Sequence, residues 1–468
     1  MLPYGKQSID EDDIQAVIEV LKSDWLTTGP KIEEFEQAIV EFVGAKYAVA
    51  VSSGTAALHA AMFALNIGPG DEVIVSPMTF AATANCVVYQ GGTPVFADVD
   101  PETLLINPKQ VEKKITSRTK AIIAVDYAGQ PCNYDELLSI SKNHNIPLVA
   151  DSCHALGALY KGRPVGSVAD LAVFSFHPVK HITTGEGGMI TTNNEEYAKR
   201  MRIFRNHGIT TDHRQREKQG SWFYEMVELG YNYRITDIQC GLGISQLKKL
   251  PQWIKRRWEI AAKYDEELSK IPGIKPLGLR SDVLLPKQSL DLSPFPFPFS
   301  PFSRSPSSVR PCPSSVPRSP SPVSPSPSSI LHPPSSVLPS PSSVSRSPSS
   351  VLPSPSPVSR SPFSVLRPPS SFFSTHAYHL YVIRIEGEAV GKTRDEIFRE
   401  LRNAGIGVNV HYIPVHLHPF YRKRLGTSAG LCRVAEAAYE QIISLPMFPK
   451  LTDKDVYYII ESIKRTSN

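Results

Sequence analysis

Between residues 10 and about 250, short apolar runs alternate with longer stretches whose apolar positions recur at helical spacing. The runs at 47–52, 72–76, 94–98, 120–126, 147–151, 171–175 and 188–192 predict buried strands, because their Val, Ile, Ala and Leu leave no polar face for water. Amphipathic or alanine-rich stretches at 33–42, 55–65, 81–89 and 134–143 predict the intervening helices, and Gly68-Pro69-Gly70-Asp71 marks a turn. Strand and helix in alternation require an α/β fold with a mostly parallel, helix-covered sheet. After Pro251 the pattern changes. A charged helix over 254–268, an apolar strand over 379–385, a helix over 394–404, an extended segment over 408–412 and a closing helix over 453–463 predict a smaller α+β domain.

The expected organisation is therefore a large domain over 1–250 and a small C-terminal domain made of 251–280 and 376–468. Between the two parts of the small domain, residues 281–375 repeat Ser-Pro units such as Ser305-Pro306-Ser307-Ser308-Val309 and hold more than half of the chain's 42 prolines. Proline removes backbone donors and serine adds little apolar area, so this tract cannot offset the entropy of ordering itself. It is expected to be a disordered insertion.

Composition changes this picture in two places. The formal net charge is +5, but Arg304, Arg310, Arg318, Arg346, Arg360 and Arg367 all lie in the acid-free stretch 292–375. Less these six, the remainder carries −1, which gives no basic footprint for nucleic acid. The six cysteines are scattered without a Cys-x-x-Cys pair, which fits reduced thiols. Residues 1–13 contain no apolar leader and no run reaches the length of a membrane span, so a cytoplasmic protein without membrane contact is expected. His411, His416 and His418 lack a carboxylate or cysteine spaced to complete a metal site, and no metal is expected.

The chemistry concentrates in Phe174-Ser175-Phe176-His177-Pro178-Val179-Lys180, followed by the glycine-rich Gly185-Glu186-Gly187-Gly188. A lysine between an apolar run and a glycine turn can be desolvated toward its nucleophilic neutral form and can hold an aldehyde cofactor. Asp151 ends the predicted strand 147–151, where open α/β sheets place ligands. A lysine with a strand-end aspartate is the minimal equipment for pyridoxal 5'-phosphate, the carboxylate keeping the pyridine nitrogen protonated. Ser52-Ser53-Gly54-Thr55 leaves a strand and opens a helix, so the amides of Gly54 and Thr55 can receive the phosphate, with the Ser175 hydroxyl beside them. His154 is a candidate partner for the ring's phenolic oxygen, and Phe80 is a candidate to stack on the ring.

Together these segments resemble the DegT/DnrJ/EryC1/StrS sugar aminotransferases, of the aspartate aminotransferase-like fold type I. Ser175 to Lys180 is similar to that family's lysine motif, Asp151-Ser152-Cys153-His154-Ala155 to its pyridine-nitrogen motif, and Gly230-Tyr231-Asn232-Tyr233-Arg234 to its inter-subunit motif. The resemblance implies a homodimer with shared active sites, in which Asn232 reaches the neighbouring subunit's cofactor or substrate. Trp25-Leu26-Thr27-Thr28-Gly29-Pro30 and Asp126-Tyr127-Ala128-Gly129-Gln130-Pro131 resemble the family's pseudaminic acid branch. That implies amination of C4 of a UDP-linked 4-keto-6-deoxy-N-acetylhexosamine with L-glutamate as donor. It also implies substrate contacts at Tyr4, Asp24, Trp25, Leu26, Thr27, Gly54, Ser175, Asn232, Asn409, Val410, His411 and Tyr412.

Overall fold

The computed structural model describes residues 1–211, 213–218, 220–279 and 375–467. The expected insertion at 281–375 lies outside the described residues, save its last, Thr375.

The first part of the chain runs α1 (Glu11–Leu21), α2 (Pro30–Val43), β1 (Tyr47–Val51), α3 (Gly54–Ala64), β2 (Glu72–Val75), α4 (Ala82–Tyr89), β3 (Thr93–Phe96), α5 (Pro108–Lys113), β4 (Thr119–Val125), α6 (Tyr134–His144) and β5 (Leu148–Asp151). A two-residue hairpin, β6 (Leu159–Tyr160) and β7 (Arg163–Pro164), precedes β8 (Leu171–Ser175), β9 (Gly188–Thr192), α7 (Glu195–Phe204), α8 (His213–Lys218) and the long α9 (Asp237–Leu268). β1, β9, β8, β5, β4, β2 and β3 lie side by side in that order. Every neighbouring pair is parallel except those made by β9, which runs against both β1 and β8. All seven strands expected from the apolar runs are present; β1, β2, β4, β5, β8 and β9 are buried almost throughout, which explains why they read as continuous, whereas β3 alternates half-buried and buried residues.

The C-terminal part contributes β10 (Ile274–Pro276), β11 (Tyr381–Ile385), α10 (Gly387–Val390), α11 (Arg394–Asn403), α12 (Pro419–Leu425), α13 (Arg433–Tyr439), β12 (Ile442–Leu445) and α14 (Asp453–Thr466). β10, β11 and β12 form a three-stranded antiparallel sheet. Residue 250, expected to end the large domain, falls inside α9, which continues through Pro251. The helix instead passes from one apolar core to another: Leu247, Leu250 and Ile254 belong to the first, and Ile260, Ala261, Tyr264 and Leu268 to the second.

Two C-terminal expectations differ from the structure. The segment 408–412 is extended but is not a strand, because its only bridge is Asn409 with Ser444. The strand expected over 379–385 begins at Tyr381. The preceding residues turn away with Tyr378 in the left-handed region at φ 44°, and their amides bond elsewhere: Ala377 N to Gly129 O at 2.8 Å and Leu380 N to Ala128 O at 3.1 Å. A Cβ on Gly129, itself at φ 106°, would lie 2.8 Å from Tyr378 N, so the glycine is what lets these two backbones meet.

Candidate active site

The C-terminal ends of β5 and β8 and the N-terminus of α3 open into one cavity of about 520 Å³, closed on its other side by Tyr4, His379 and the segment 409–412. Ser53 caps α3, its hydroxyl accepting from Ala56 N at 3.1 Å, which leaves the Gly54 and Thr55 amides among those that no helix can satisfy internally. Gly54 meets Ser175 so closely that a Cβ there would lie 2.9 Å from the Ser175 Cβ. Gly188 does similar work: a Cβ would come 2.3 Å from Ser53 O, so only glycine lets β9 pair past the start of the helix.

Asp151 is buried at the end of β5, with Thr83 Oγ1 donating to one carboxylate oxygen at 2.7 Å and Cys153 N to the other at 3.3 Å. Lys180 follows β8 after a short turn closed by Lys180 N donating to His177 O at 2.8 Å. Burial pushes its amine below the ordinary lysine pKa, opposed by nearby anionic charge. Cys153 is held as a thiol by its own burial, and the Asp151 carboxylate acts on the amine to raise its pKa. The Lys180 amine lies 3.4 Å from Nε2 of His379.

His154 reaches the cavity from the turn after β5, with Nε2 3.0 Å from the Tyr412 hydroxyl and Nδ1 buried without a partner. Burial, reinforced by the charge of Lys180, holds its ring neutral, well below the ordinary histidine pKa. His411 bonds through Nδ1 to Ser444 Oγ at 2.9 Å and is pushed down to about 3 by burial. Tyr127 donates to His411 O and ties this segment to the turn after β4. Tyr4 lies against His411 with ring centroids 5.1 Å apart. Phe80 lines the rim and is 63% exposed, its ring 6.3 Å from that of Tyr412.

The structure thus brings together Tyr4, Gly54, Thr55, Phe80, Asp151, His154, Ser175, Lys180, Asn409, Val410, His411 and Tyr412 of the residues expected from the sequence. Asp24, Trp25, Leu26, Thr27 and Asn232 do not line this cavity; Thr27 bridges to Thr236 and Asn232 to Asn206, and Asn232 is exposed. His416, weighed above for metal, pairs instead with Glu436 at 2.7 Å. Sequence reasoning missed Thr83 and His379. Thr83 stood beside Phe80 in the same segment and faces Asp151 because α4 begins one residue before it. Nothing in the spacing of the sequence marks His379, which lies 199 residues from Lys180.

The donor set fits pyridoxal phosphate: a helix N-terminus and a serine hydroxyl at one end of the cavity, a buried carboxylate on its floor, a desolvated amine, and an imidazole nitrogen with no partner within the protein. Known proteins agree. The model of the DegT/DnrJ/EryC1/StrS aminotransferase family matches residues 7–289 and 361–464. SpsC of Bacillus subtilis, a spore coat polysaccharide biosynthesis protein, is 36% identical over 465 residues, covering 99% of this chain and 96% of its own. Among solved structures, the putative sugar aminotransferase Spr1654 of Streptococcus pneumoniae in its PMP form superposes with a TM-score of 0.76 at 31% identity, covering 100% of this chain and 99% of its own; it is also known in a PLP form. PseC of Helicobacter pylori, an aminotransferase involved in the biosynthesis of pseudoaminic acid, gives a TM-score of 0.74 at 29% identity, covering 99% of this chain and 98% of its own. The chain therefore belongs to the DegT/DnrJ/EryC1/StrS aminotransferase family, and it is a pyridoxal phosphate-dependent sugar aminotransferase.

Proposed function

We propose that the protein moves an amino group from L-glutamate to C4 of a UDP-linked 4-keto-6-deoxy-N-acetylhexosamine, in nucleotide-sugar biosynthesis of the pseudaminic acid type. The observation that carries the catalytic part is the convergence of Lys180, Asp151 and the start of α3 on one cavity. When bound, pyridoxal phosphate supplies an aldehyde that accepts and passes on the amino group, and a ring that disperses the electron pair left when a proton is removed.

The chain's own residues do the rest. The Gly54 and Thr55 amides and the Ser175 hydroxyl hold the phosphate, using the positive end of the helix. Asp151 keeps the ring nitrogen protonated, and Thr83 fixes the carboxylate for that role. Lys180 would anchor the aldehyde; once displaced by the donor, its amine would move the proton from the donor's α-carbon to the cofactor's aldehyde carbon, and with the acceptor bound it would move one from that carbon to C4 of the sugar. The burial that lowers its pKa favours the neutral amine that can act as the base. Tyr4, Asn409, Val410, His411 and Tyr412 form the side of the cavity facing the sugar, and Phe80 stacks at its rim.

We further propose a cytoplasmic homodimer, with Asp24, Trp25, Leu26, Thr27 and Asn232 serving the partner subunit's site. None of the five lines this protomer's cavity, and Asp24, Leu26, Thr27 and Asn232 are exposed, which supports that placement. Among the described residues no helix is long and apolar enough to cross a membrane. The likeness to PseC favours the pseudaminic acid type of sugar, whereas the 36% identity to SpsC favours another nucleotide-linked 4-keto sugar of a polysaccharide route.

Incubation of the purified enzyme with L-glutamate and a panel of UDP- and dTDP-linked 4-keto-6-deoxy sugars, with product identification by mass and NMR, separates these readings. Amination only of the UDP-linked N-acetylated sugars supports the first. Preference for a dTDP-linked sugar without an N-acetyl group overturns it.

A further inference from the structure

His379 comes from the C-terminal part of the chain, yet its ring lies inside the cavity, 3.4 Å from the lysine amine. Its backbone is held from several sides. The Ala377 and Leu380 amides donate to Gly129 O and Ala128 O, and Arg257 Nη1 donates to Tyr378 O and Met447 O, each at 2.9 Å. The Tyr378 amide donates to His376 Nδ1 at 2.8 Å. Its ring is wedged between His154, at a centroid distance of 4.3 Å, and His181, at 5.5 Å. His181 is itself 3.0 Å from Ala377 O. A side chain fixed this firmly has little freedom left to find other partners, and among the described residues its side chain's one polar contact is through Nε2 to Lys180.

The other ring nitrogen, Nδ1, is buried with no partner among the described residues. A buried imidazole that leaves one nitrogen unpaired costs about 1–3 kcal/mol, so packing alone would favour an apolar residue here. Nε2 accepts from the amine only in the tautomer that puts the proton on Nδ1, the nitrogen without a partner. Burial, together with the charge of Lys180, excludes a second positive charge on this ring.

We propose that His379 is a positioning residue for Lys180: through Nε2 it accepts a hydrogen bond from the free lysine amine and holds that amine over the cavity, where it would move the proton between the substrate carbon and the cofactor's aldehyde carbon. This rests on the reading of Lys180 as the lysine that anchors the cofactor. A hydrogen bond accepted from the amine favours its protonated form, so His379 also raises the basicity that burial lowers. The other titratable or charged groups facing these two side chains are Asp151, Cys153, His154, His181, His411 and Arg257.

The test uses the full-length enzyme loaded with pyridoxamine phosphate, the form in which the lysine is free, and follows trace acetylation of Lys180 by acetic anhydride across pH with peptide mass spectrometry. In His379→Leu the midpoint for labelling Lys180 should fall by about one pH unit. In His379→Gln, whose amide can present an acceptor at the place of Nε2, it should stay at the wild-type value. If His379→Leu fails to fold, His379→Asn replaces it, since its shorter amide reaches only the place of Nδ1 and should behave like the leucine variant. Coincidence of the leucine (or asparagine) and wild-type midpoints, or a glutamine variant that follows leucine, overturns the proposal. A companion sample loaded with pyridoxal phosphate tells the two readings apart. Protection of Lys180 there leaves the anchoring role intact whatever His379 does, whereas equal labelling in both forms removes the anchoring role and this inference with it.

Discussion

The cavity has two sides of different origin. One is built by strand ends and a helix start, namely Ser53 to Thr55, Asp151, and Ser175 to Lys180; the other by Tyr4, His379 and the extended segment 409–412. On the first side each functional group sits within a few residues of a regular element, so its direction follows from the pleat and from the helix axis. On the second, the backbone follows no repeating pattern and is held by single long-range bonds, such as Tyr127 to His411 O and Arg257 to Tyr378 O. Chemistry that must be invariant is therefore carried by the sheet, and the side facing the substrate is carried by segments that can change without unpairing a strand.

The largest expected effects belong to the sheet side. Lys180→Ala should abolish the visible absorption of the bound cofactor and reduce turnover by at least about 10³-fold, read by absorbance and by glutamate-dependent product formation. Asp151→Asn should keep cofactor bound but lower kcat by roughly 10²-fold. A Lys180→Ala enzyme that still transaminates would break the assignment of chemistry to this side.

Acid should distinguish the two sides next. His59, pushed down to about 4, and His376 and His411, each to about 3, are kept neutral by burial, as are His154, His181 and His379, all well below the ordinary 6.5. The unfolded chain takes up these protons near pH 6.5 and the folded one refuses them. Their contribution is complete above 6.5 and is lost as pH falls toward 4 and 3, at about 1.4 kcal/mol per pH unit for each histidine. Asp126 opposes them: buried and raised to about 6, it favours the folded state below about 4 and loses that contribution as pH rises through 6. Asp265, also raised by burial, acts in the same sense as Asp126, and six histidines against these two carboxylates predict a net loss on acidification, visible as a falling urea midpoint between pH 7 and 5. His376, His379 and His411 all lie on the C-terminal side, which should loosen with the rest. His59→Gln, at a site between Gln90 and Tyr233 and away from the cavity, should remove one histidine's share of the slope. A midpoint that stays flat over this range would falsify the account.

How far each side was legible from the sequence follows the same division. Lys180, Asp151 and Ser175 could be located because an apolar run followed by glycine or by a carboxylate announces a strand end. Gly54 and Thr55 could be located because Ser53 announces a helix cap. His379 could not, because the apolar run that contains it continues smoothly into β11, while the chain leaves the strand direction at Tyr378 for reasons that lie in Ala128, Gly129 and Arg257. Nor does the sequence mark where α9 passes from one core to the other: the helix carries Pro251 in its interior and its buried face continues on both sides. Asn409, His411 and Tyr412 were found by resemblance to a family motif, and their extended backbone carries no periodic signal of its own.

The dependence of the second side on Arg257 can be tested directly. This guanidinium is fully buried, pushed down to about 9 by burial, and donates to the Tyr378 and Met447 carbonyls. Arg257→Met removes the charge but leaves both carbonyls without their donor, which should cost about 2 kcal/mol in urea unfolding. It should also release the turn that carries His379, lowering kcat by about tenfold with little change in cofactor affinity. Loss of cofactor affinity with kcat preserved would show that the second side serves binding rather than proton handling.

The smallest effect expected here returns to the sheet side and asks how tightly it is built. Gly54 has an ordinary helical backbone, so its lack of a side chain is a matter of space rather than conformation. An alanine would place a methyl 2.9 Å from the Ser175 Cβ and 3.2 Å from its Oγ, closer than real carbon contacts allow, so the turn between β8 and Lys180 must yield by a few tenths of an ångström. The backbone amides that would hold the phosphate are unchanged by the substitution. Gly54→Ala should therefore weaken pyridoxal phosphate binding by no more than about tenfold, through displacement of the Ser175 hydroxyl, and the loss should be matched by Ser175→Ala and not added to it in the double variant. Additive losses would mean that the two residues act on the phosphate independently and that the close approach of α3 to β8 carries no functional weight.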